Sequence, residues 1–312
     1  MTRFSPLASP TATRAFLEQW GLHTKKSLGQ HFLIDDGVVG RILACAEVGS
    51  SDCIVEVGPG IGTLTAALLA QGAKVCAIEK DQRLLEPLTT SFEHEPNFSL
   101  VAADALDLAA VAKGLSAAFA ADATASAQQQ GEPTLALKLV ANLPYAVAAT
   151  IVLGYFEKLP LLQSATVMVQ REVAERMSAQ PNTKDYGAYT VKLGALAKAT
   201  SSFAVARNNF MPPPRVDSTV IRLDRCATAK TSQSPAQESY QNFAFVVDAA
   251  FAQRRKTIRN SMCAYFSAHN QNPNLADELL KSAGIDPKRR GETLTQEEFV
   301  QLAKGFTFFS AT

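Results

Sequence analysis

A glycine-rich turn after an apolar strand limits the folds open to this chain more than any other segment. Its sequence is Glu56-Val57-Gly58-Pro59-Gly60-Ile61-Gly62, between an apolar run over 54–57 and a helical pattern over 63–71. Glycine has no Cβ, so its backbone can approach a ligand closely, and the first turn of a helix offers free N–H groups. The segment predicts a strand, a sharp turn and a helix whose tip binds a ligand.

The neighbouring segments repeat this unit as alternating strands and helices. We expect further strands over 74–79, 98–102, 135–140 and 164–170, and a helix over 82–92. Strands separated by helices form a parallel sheet covered by helices on both faces. The sequence therefore predicts an α/β fold with a Rossmann-like sheet.

The chain changes character after residue 225. Residues 226–240 are rich in Thr, Ser, Gln and Ala without an apolar period, which is typical of a linker. Apolar residues then recur at helical spacing and predict a small all-helical domain over 241–312. We expect residues 1–225 to form the first domain, with 1–10 as a frayed arm and 116–134 as a surface helix end followed by a loop.

Composition excludes several classes of protein. The chain has no run of eighteen uncharged apolar residues, so we expect no membrane span, and residues 1–10 lack the apolar segment of a signal peptide. Its five cysteines form no C-x-x-C pair and its four histidines no H-x-x-x-H pair, which argues against a metal site and a disulfide framework. We expect a monomer in the reducing cytoplasm.

Charge is segregated along the chain. Residues 51–144 carry 5 basic and 11 acidic side chains, whereas residues 165–225 carry 9 basic and 5 acidic ones. A cluster of cations follows in the C-terminal segment, namely Arg254, Arg255, Lys256 and Arg259. Such a cluster binds a polyanion such as RNA or covers a solvated helical face, and charge alone leaves both interpretations open.

Two acidic residues at strand ends indicate the kind of ligand. Glu79 ends the strand after the glycine turn, 21 residues beyond Gly58, where a carboxylate can accept hydrogen bonds from both hydroxyls of a ribose. Asp104 follows the next strand and is placed to receive an adenine amino group. We therefore expect an adenosine-containing cofactor. Thr63 stands where NAD- and FAD-binding turns need a third glycine or alanine, which weakens that alternative without excluding it.

The fourth strand of the predicted sheet runs into Asn142-Leu143-Pro144-Tyr145. Proline has no backbone donor, so the carbonyls around it stay free to accept hydrogen bonds, and Asn142 adds a side-chain carbonyl. These acceptors suit an amino group, and Tyr145 offers an aromatic plane on which a base can stack. An ordinary exit from a strand would explain the same four residues, so the motif alone decides nothing.

Together with other segments, this motif resembles a known family, the ribosomal RNA small-subunit adenine N6,N6-dimethyltransferases, which are class I S-adenosylmethionine-dependent methyltransferases. The resemblance runs from about residue 11 to about residue 262 in the family's order. Its segments are Lys25-Lys26-Ser27-Leu28-Gly29-Gln30-His31-Phe32-Leu33, the glycine turn, Ile78-Glu79, Asp104-Ala105, N-L-P-Y, Gln170-Arg171-Glu172-Val173, Phe210-Met211-Pro212-Pro213-Pro214-Arg215-Val216-Asp217-Ser218 and Ala250-Phe251-Ala252-Gln253-Arg254-Arg255-Lys256-Thr257-Ile258-Arg259-Asn260-Ser261. Such a set is far more specific than any of its members.

The resemblance implies a function and a set of site residues. It implies methyl transfer from S-adenosylmethionine to N6 of two adjacent adenosines, in a hairpin near the 3′ end of small-subunit (16S) rRNA within a pre-ribosomal particle. The implied cofactor residues are His31, Leu33, Gly58, Gly60, Glu79, Asp104 and Asn142. The implied catalytic residues are Asn142, Leu143, Pro144, Tyr145 and Phe210, with Tyr145 and Phe210 on either side of the target adenine. We expect RNA contacts from Arg215, Arg254, Arg255, Lys256 and Arg259, the last four on a C-terminal helix.

The chain departs from the family's pattern at two places, and three alternatives stay open. His31 stands where the family often has asparagine, and the 116–134 segment is longer than expected. The nearest alternative is a large-subunit rRNA adenine N6-methyltransferase, although F-x-P-P-P-x-V-D-S and the R-R-K-T-I-R-N-S helix favour the small-subunit type. Intact N-L-P-Y and glycine motifs disfavour a non-catalytic ribosome-assembly factor, and Thr63 disfavours a nucleotide-dependent oxidoreductase.

Overall fold

The computed structural model describes residues 3–23, 30–122, 136–226 and 235–310. Backbone contacts divide the chain into a sheet unit, Met1–Ala174 with Ala199–Arg225, and a helical unit, Glu175–Lys198 with Cys226–Thr312. This division differs from the expected boundary at residue 225, because 175–198 belongs with the C-terminal helices. Of the predicted linker, residues 227–234 lie outside the described residues, and a helix already begins at Pro235.

The segment 175–198 joins the helical unit through its own buried side chains. Tyr186 and Val191 belong to the same buried hydrophobic cluster as Phe299 and Leu302. The Tyr186 hydroxyl also donates to the Leu294 carbonyl at 2.8 Å, across 108 residues of sequence. A boundary drawn at a polar stretch misses such an insertion, because its contacts are with residues distant in sequence.

The sheet unit contains a seven-stranded sheet and a two-stranded ribbon. In chain order the strands are β1 (Phe32–Leu33), β2 (Cys53–Val57), β3 (Lys74–Glu79), β4 (Phe98–Ala102), β5 (Leu137–Asn142), β6 (Leu162–Gln170), β7 (Ala197–Val205), β8 (Phe210–Met211) and β9 (Ser218–Arg225). The large sheet has the order β4-β3-β2-β5-β6-β9-β7, and the ribbon pairs β1 with β8. Strands β2 to β6 are mutually parallel, as expected, whereas β9 runs antiparallel to β6 and was not predicted.

Helices connect and cover these strands. They are α1 (Pro10–Gln19), α2 (Asp36–Ala46), α3 (Thr63–Ala70), α4 (Gln82–Ser91), α5 (Leu108–Ala118) and α6 (Ala148–Lys158), and α7 (Arg171–Met177) continues into the helical unit. Part of the predicted 116–134 segment, residues 123–134, lies outside the described residues. The predicted fold class, a Rossmann-like methyltransferase sheet with helices and a helical C-terminal region, is confirmed.

The register of β2 and β3 brings the predicted site residues to one edge of the sheet. All five residues of β2 are buried, as is typical of a parallel strand covered on both faces. Val57 lies opposite Ile78, so the residues that follow, Gly58 and Glu79, emerge at the same level. The carboxyl ends of parallel strands thereby form one rim on which a ligand site can be built.

Residues 3–10 of the N-terminal arm are held against the sheet unit, contrary to the expectation that the arm frays, whereas residues 1 and 2 lie outside the described residues. The Asp36 carboxylate accepts hydrogen bonds from the backbone N–H groups of Phe4 (3.1 Å) and Ser5 (2.8 Å). Ser5 is fully buried, and Ser9 caps α1 by accepting from the Ala12 N–H. The arm is ordered by a carboxylate about thirty residues away, which a local composition argument does not detect.

The helical unit has its own core. Its helices are α8 (Ala188–Gly194), α9 (Pro235–Phe251), α10 (Ile258–Ala268), α11 (Leu275–Ser282) and α12 (Gln296–Ser310). Their apolar faces meet in one buried cluster that includes Val246, Met262, Leu279 and Phe299. None of the helices in the described ranges is long and apolar enough to cross a bilayer.

Candidate active site

A cavity of about 590 Å³ lies in the sheet unit at the carboxyl ends of β2 to β5. This volume suits a ligand of nucleoside size or somewhat larger. The predicted residues that line the cavity are His31, Leu33, Gly58, Gly60, Glu79, Asp104, Asn142, Leu143, Pro144 and Tyr145. The structure therefore brings together every residue that the resemblance implies for the cofactor and all four residues of N-L-P-Y.

The glycine turn forms one wall of the cavity and has a backbone that other residues adopt with difficulty. Gly58, Gly60 and Gly62 have φ values of 66°, 61° and 85°. A Cβ on Gly62 would come within 2.6 Å of the Phe92 ring, so packing also excludes a larger residue at this position. The Gly58 N–H donates to the Ile78 carbonyl at 2.9 Å, which ties the turn to β3.

Two buried carboxyl groups face the same end of the cavity. Glu56 is 2% exposed and its Oε2 accepts from the Thr65 hydroxyl at 2.6 Å. Glu79 is 7% exposed and its Oε1 accepts from the Asp81 N–H at 2.7 Å. Burial raises the pKa of Glu56 to about 8 and also raises the pKa of Glu79. Because ionised acids are costly in this setting, a cationic ligand would be stabilised beside them.

Asp104 lies at the cavity with partners already in place. Its carboxylate oxygens accept from Lys80 Nζ at 2.5 Å and from the Leu106 N–H at 3.0 Å. The Lys80 hydrogen bond, followed by that of Leu106, lowers the pKa of Asp104, so this carboxylate is ionised at neutral pH. A carboxylate has about four acceptor positions, so an amino group can join these two donors.

Asn142 has an orientation that its hydrogen bond fixes. Its Nδ2 donates to the His31 backbone carbonyl at 3.1 Å. A carbonyl can only accept, so the amide nitrogen is the atom turned to it and Oδ1 keeps its accepting capacity. The Pro144 carbonyl accepts from the Val147 N–H at 3.1 Å, whereas no described residue donates to the Leu143 carbonyl. Of the two predicted backbone acceptors, Leu143 is therefore the one that is free.

Tyr145 is held by two other segments of the chain. Its hydroxyl shares a 2.6 Å hydrogen bond with Ser218 Oγ. The His31 imidazole stacks on its ring, with centroids 5.7 Å apart and planes 23° from parallel. His31 Nδ1 in turn donates to the Pro212 carbonyl at 2.8 Å, since that carbonyl can only accept. The N-terminal, N-L-P-Y and Pro-rich motifs therefore meet at one ring.

Phe210, the second ring of the predicted sandwich, is not among the described residues that line the cavity. Its side chain is 2% exposed and belongs to the hydrophobic core with Leu33, Met168 and Val220. Phe210 lies opposite Leu33 in the β1–β8 ribbon, and this pairing places it in the core. The ring that faces Tyr145 is His31.

Arg254, Arg255 and Lys256, here called the basic turn, were expected on a helix and lie between two helices instead. Helix α9 ends at Phe251 and α10 begins at Ile258. The side chain of Thr257 caps α10 by accepting from the Asn260 N–H, so the helix cannot extend back over the basic turn in this state. The prediction of a single basic helix was wrong.

Two of the four cations predicted to contact RNA from the helical unit have acidic partners. Arg254 Nε donates to Glu292 at 2.9 Å, and Arg259 donates to Asp277 through Nε at 2.6 Å. In the described part of the chain, Arg255 and Lys256 are exposed and form no ion pair. Arg215, in the sheet unit, is also exposed.

Sequence reasoning missed two residues that shape the cavity. Glu56 carries a detectable signal, because an acid in an otherwise apolar, fully buried strand needs a reason to be there. Ser218 lies in a motif that the resemblance includes, but its contact with Tyr145 spans 73 residues and has no local signature.

Comparison with known proteins bears on what this cavity does. A family model described as ribosomal RNA adenine dimethylase matches residues 21–304. The chain belongs to this family. It is 37% identical over 298 residues to the ribosomal RNA small subunit methyltransferase A of Bacillus mycoides (strain KBAB4), a match that covers 95% of this chain and 96% of the relative. Proteins of the same name from Bacillus cereus (strain B4264) and Bacillus anthracis (strain CDC 684 / NRRL 3495) match to the same extent.

Solved structures agree on the fold. A dimethyladenosine transferase from Plasmodium falciparum superposes with a TM-score of 0.68 at 22% identity, over 90% of this chain and 98% of that one. The 23S rRNA methyltransferase ErmE gives a TM-score of 0.58 at 24% identity, over 88% of this chain and 99% of that one. At these identities the likeness establishes the architecture alone.

Membership of the family confirms the predicted enzyme class. The chain is an S-adenosylmethionine-dependent rRNA adenine dimethyltransferase, and S-adenosylmethionine is its cofactor. The roles of individual residues in the cavity stay predictions.

Proposed function

We propose that this enzyme methylates N6 of two adjacent adenosines in a hairpin near the 3′ end of small-subunit rRNA, as a monomer acting in the cytoplasm on a pre-ribosomal particle. The small-subunit target is supported by the name shared by its 37% identical relatives. The observation that carries the proposed chemistry is the orientation of Asn142, which leaves Oδ1 as an acceptor beside the free Leu143 carbonyl.

The cavity residues fit the cofactor. The positive φ values at Gly58 and Gly60 let the backbone approach the methionine portion without a Cβ in between. Glu79 accepts from the ribose hydroxyls, and Asp104 accepts from the adenine amino group. The buried acids Glu56 and Glu79 suit a ligand that carries positive charge. When bound, S-adenosylmethionine supplies a methyl group made electrophilic by its sulfonium.

The N-L-P-Y motif prepares the target nitrogen. In the first methylation, Asn142 Oδ1 and the Leu143 carbonyl accept the two N6 hydrogens of the target adenine, and in the second, one of them accepts the single hydrogen that remains. Such bonds favour a pyramidal nitrogen with a localised lone pair, and they hold that lone pair in line for attack. Each methylation leaves one excess proton on N6, which Asn142 Oδ1 holds until water removes it. No strong base is required, because the methylated nitrogen is itself acidic.

The target adenine leaves its RNA helix and stacks on the Tyr145 ring. Unstacking an adenine costs a few kcal/mol, and stacking on one aromatic ring returns about 1–3 kcal/mol. RNA phosphates outside the cavity meet exposed cations, for which Arg215, Arg255 and Lys256 are the best candidates because they are exposed.

The test uses labelled S-adenosylmethionine with small ribosomal subunits that lack the modification. Nuclease digestion then maps the label. We expect dimethyladenosine at two adjacent positions of a 3′-terminal hairpin. Label on large subunits instead would support the large-subunit alternative, and tight subunit binding without label would support a non-catalytic assembly factor.

A further inference from the structure

The hydroxyl of Tyr145 is attached to a rigid part of the sheet. Ser218, its partner at 2.6 Å, is fully buried at the first position of β9 and lies opposite Gln170 of β6. The residue before it is fixed as well, because the Asp217 carbonyl accepts from the Arg171 N–H at 3.1 Å. The hydroxyl end of the Tyr145 side chain is therefore held by the sheet, independently of the loop that carries Tyr145.

One face of the same ring is covered by a side chain that is also fixed. The His31 imidazole is locked by its 2.8 Å hydrogen bond to the Pro212 carbonyl and stacks on Tyr145. The backbone carbonyl of His31 accepts from Asn142 Nδ2 at 3.1 Å. A single residue thus contacts both the aromatic plane of Tyr145 and the amide nitrogen of Asn142.

We propose that Ser218 and His31 are positioning residues for the target adenine: Ser218 fixes the Tyr145 ring at its hydroxyl, His31 covers one face, and the adenine stacks on the opposite face. The inference deepens the proposed function and rests on it. In this arrangement His31 backs Tyr145 and does not itself contact the adenine.

The orientation of the Tyr145 ring matters because the adenine must stack on it and form its N6 hydrogen bonds at the same time. The base lies on the Tyr145 plane while its N6 hydrogens meet Asn142 Oδ1 and the Leu143 carbonyl. A tyrosine fixed only at its Cα can turn about its side-chain torsions, and small tilts at the ring move N6 out of line. A misplacement near 1 Å costs on the order of a hundredfold in rate, so a fixed ring acts on kcat more than on binding.

The first test is a mutant cycle on the Ser218–Tyr145 hydrogen bond. Ser218→Ala and Tyr145→Phe remove the same bond from opposite sides. We expect each to lower kcat for subunit methylation about tenfold with KM changed less than about twofold, and the double variant to be no slower than either single one. Ser218→Thr keeps the hydroxyl and should recover most of the lost rate. A normal kcat in Ser218→Ala, or losses that multiply in the double variant, would overturn the proposal.

A buried serine elsewhere provides the matched control. Ser261 of the helical unit is fully buried, and its hydroxyl donates to the Ala249 carbonyl at 2.7 Å. Ser261→Ala should lower the melting temperature without changing kcat. If it lowers kcat as much as Ser218→Ala does, the effect at Ser218 comes from general loosening. If Ser218→Ala does not fold, Tyr145→Phe still removes the bond and leaves the sheet intact.

The second test reports on the ring stack without any methylation. The chain has only four histidines, so the NMR resonances of the His31 ring protons can be assigned as those that disappear in a His31→Asn variant. A stacked tyrosine shifts these resonances, and Ser218→Ala should move them toward their unstacked positions. Unmoved resonances would show that Ser218 does not position the ring.

The two proposals fail in different ways. If the wild-type enzyme labels no small-subunit adenine, the proposed function is wrong, while the NMR result still decides whether Ser218 and His31 hold Tyr145. If the wild-type enzyme is active and His31→Ala binds RNA more tightly, the base displaces His31 and the assignment of the two faces is wrong.

Discussion

The cofactor end of the cavity and the basic turn of the helical unit carry charge in opposite ways. In the cavity, Glu56 and Glu79 are almost fully buried, and the charged group that acts on Glu56 is another acid, Glu79. In the basic turn the cations are exposed, and Arg254 is already paired with Glu292. Buried charge is barely screened, whereas an exposed ion pair is worth little. One region is therefore built for a single ligand, and the other for many weak, salt-sensitive contacts.

The largest effect is expected at the cavity, in Asn142→Ala. The substitution deletes one acceptor for N6 and leaves Tyr145 and the exposed cations in place. Single-turnover methylation should fall on the order of a hundredfold, while RNA affinity should change by no more than about 1 kcal/mol.

Asn97→Ala is the matched control for this variant, because Asn97 Nδ2 also donates to a backbone carbonyl, that of Gly72, away from the cavity. Near-normal turnover in Asn142→Ala would show that the Leu143 carbonyl suffices. A parallel loss of turnover and RNA binding would indicate a disturbed fold.

The next largest effect is expected in Glu79→Ala, which should weaken cofactor binding and leave RNA binding unchanged. The carboxylate that accepts two ribose hydroxyls is lost, and the Asp81 N–H loses its partner. We expect S-adenosylhomocysteine to bind about tenfold to a hundredfold more weakly by calorimetry, which corresponds to roughly 1.5–3 kcal/mol. RNA affinity should hold. Glu86→Ala, an exposed acid on α4, is the control, and an unchanged dissociation constant in Glu79→Ala would remove Glu79 from the site.

Glu56 should make the stability of the ligand-free enzyme depend on pH. Its pKa is raised by burial from 4.5 to about 8, so the native state holds a proton that the unfolded state releases above pH 4.5. The resulting stability is fully present below pH 4.5 and is lost as pH rises through about 8. Between pH 6 and 8 the free energy of unfolding, measured with denaturant, should fall by about 2 kcal/mol more in wild type than in Glu56→Gln. Parallel stability curves for the two proteins would exclude this linkage.

The smallest effects are expected at the helical unit and distinguish free cations from paired ones. Arg255→Gln with Lys256→Gln should flatten the salt dependence of RNA binding by about 0.7–0.9 log unit per lost contact. Arg254→Gln with Arg259→Gln should do less, because Glu292 and Asp277 already neutralise these side chains. Cofactor affinity should hold in both. Equal slopes for the two double variants would mean that the ion pairs open on RNA.

Much of the sheet unit was predictable because its signals are local. The expected strands over 74–79 and 98–102 coincide with β3 and β4, and the glycine turn has the expected strand and helix on either side. The strand expected over 135–140 is β5 at Leu137–Asn142, two residues later. The edge strand β7 was not predicted, because most of its residues are exposed and carry no apolar pattern.

The parts that escaped prediction depend on contacts between distant residues. Phe210 belongs to a motif, yet its burial follows from pairing with Leu33. The ion pairs of Arg254 and Arg259 reach across 38 and 18 residues, so charge counting along the sequence overstates the free positive charge. Motif order identified the residues of the cavity, whereas their partners required the fold.

The β1–β8 ribbon has a consequence for the order in which this enzyme is made. Its strands, together with the 2.8 Å contact between His31 and Pro212, join segments 181 residues apart. Chains emerge and fold from the N-terminus, so the glycine turn and its acids are made long before the ribbon can close beside them. A nascent chain shorter than about 212 residues has no partner for the His31 ring nitrogen. The catalytic pocket is therefore completed late in synthesis, after most of the sheet has already formed.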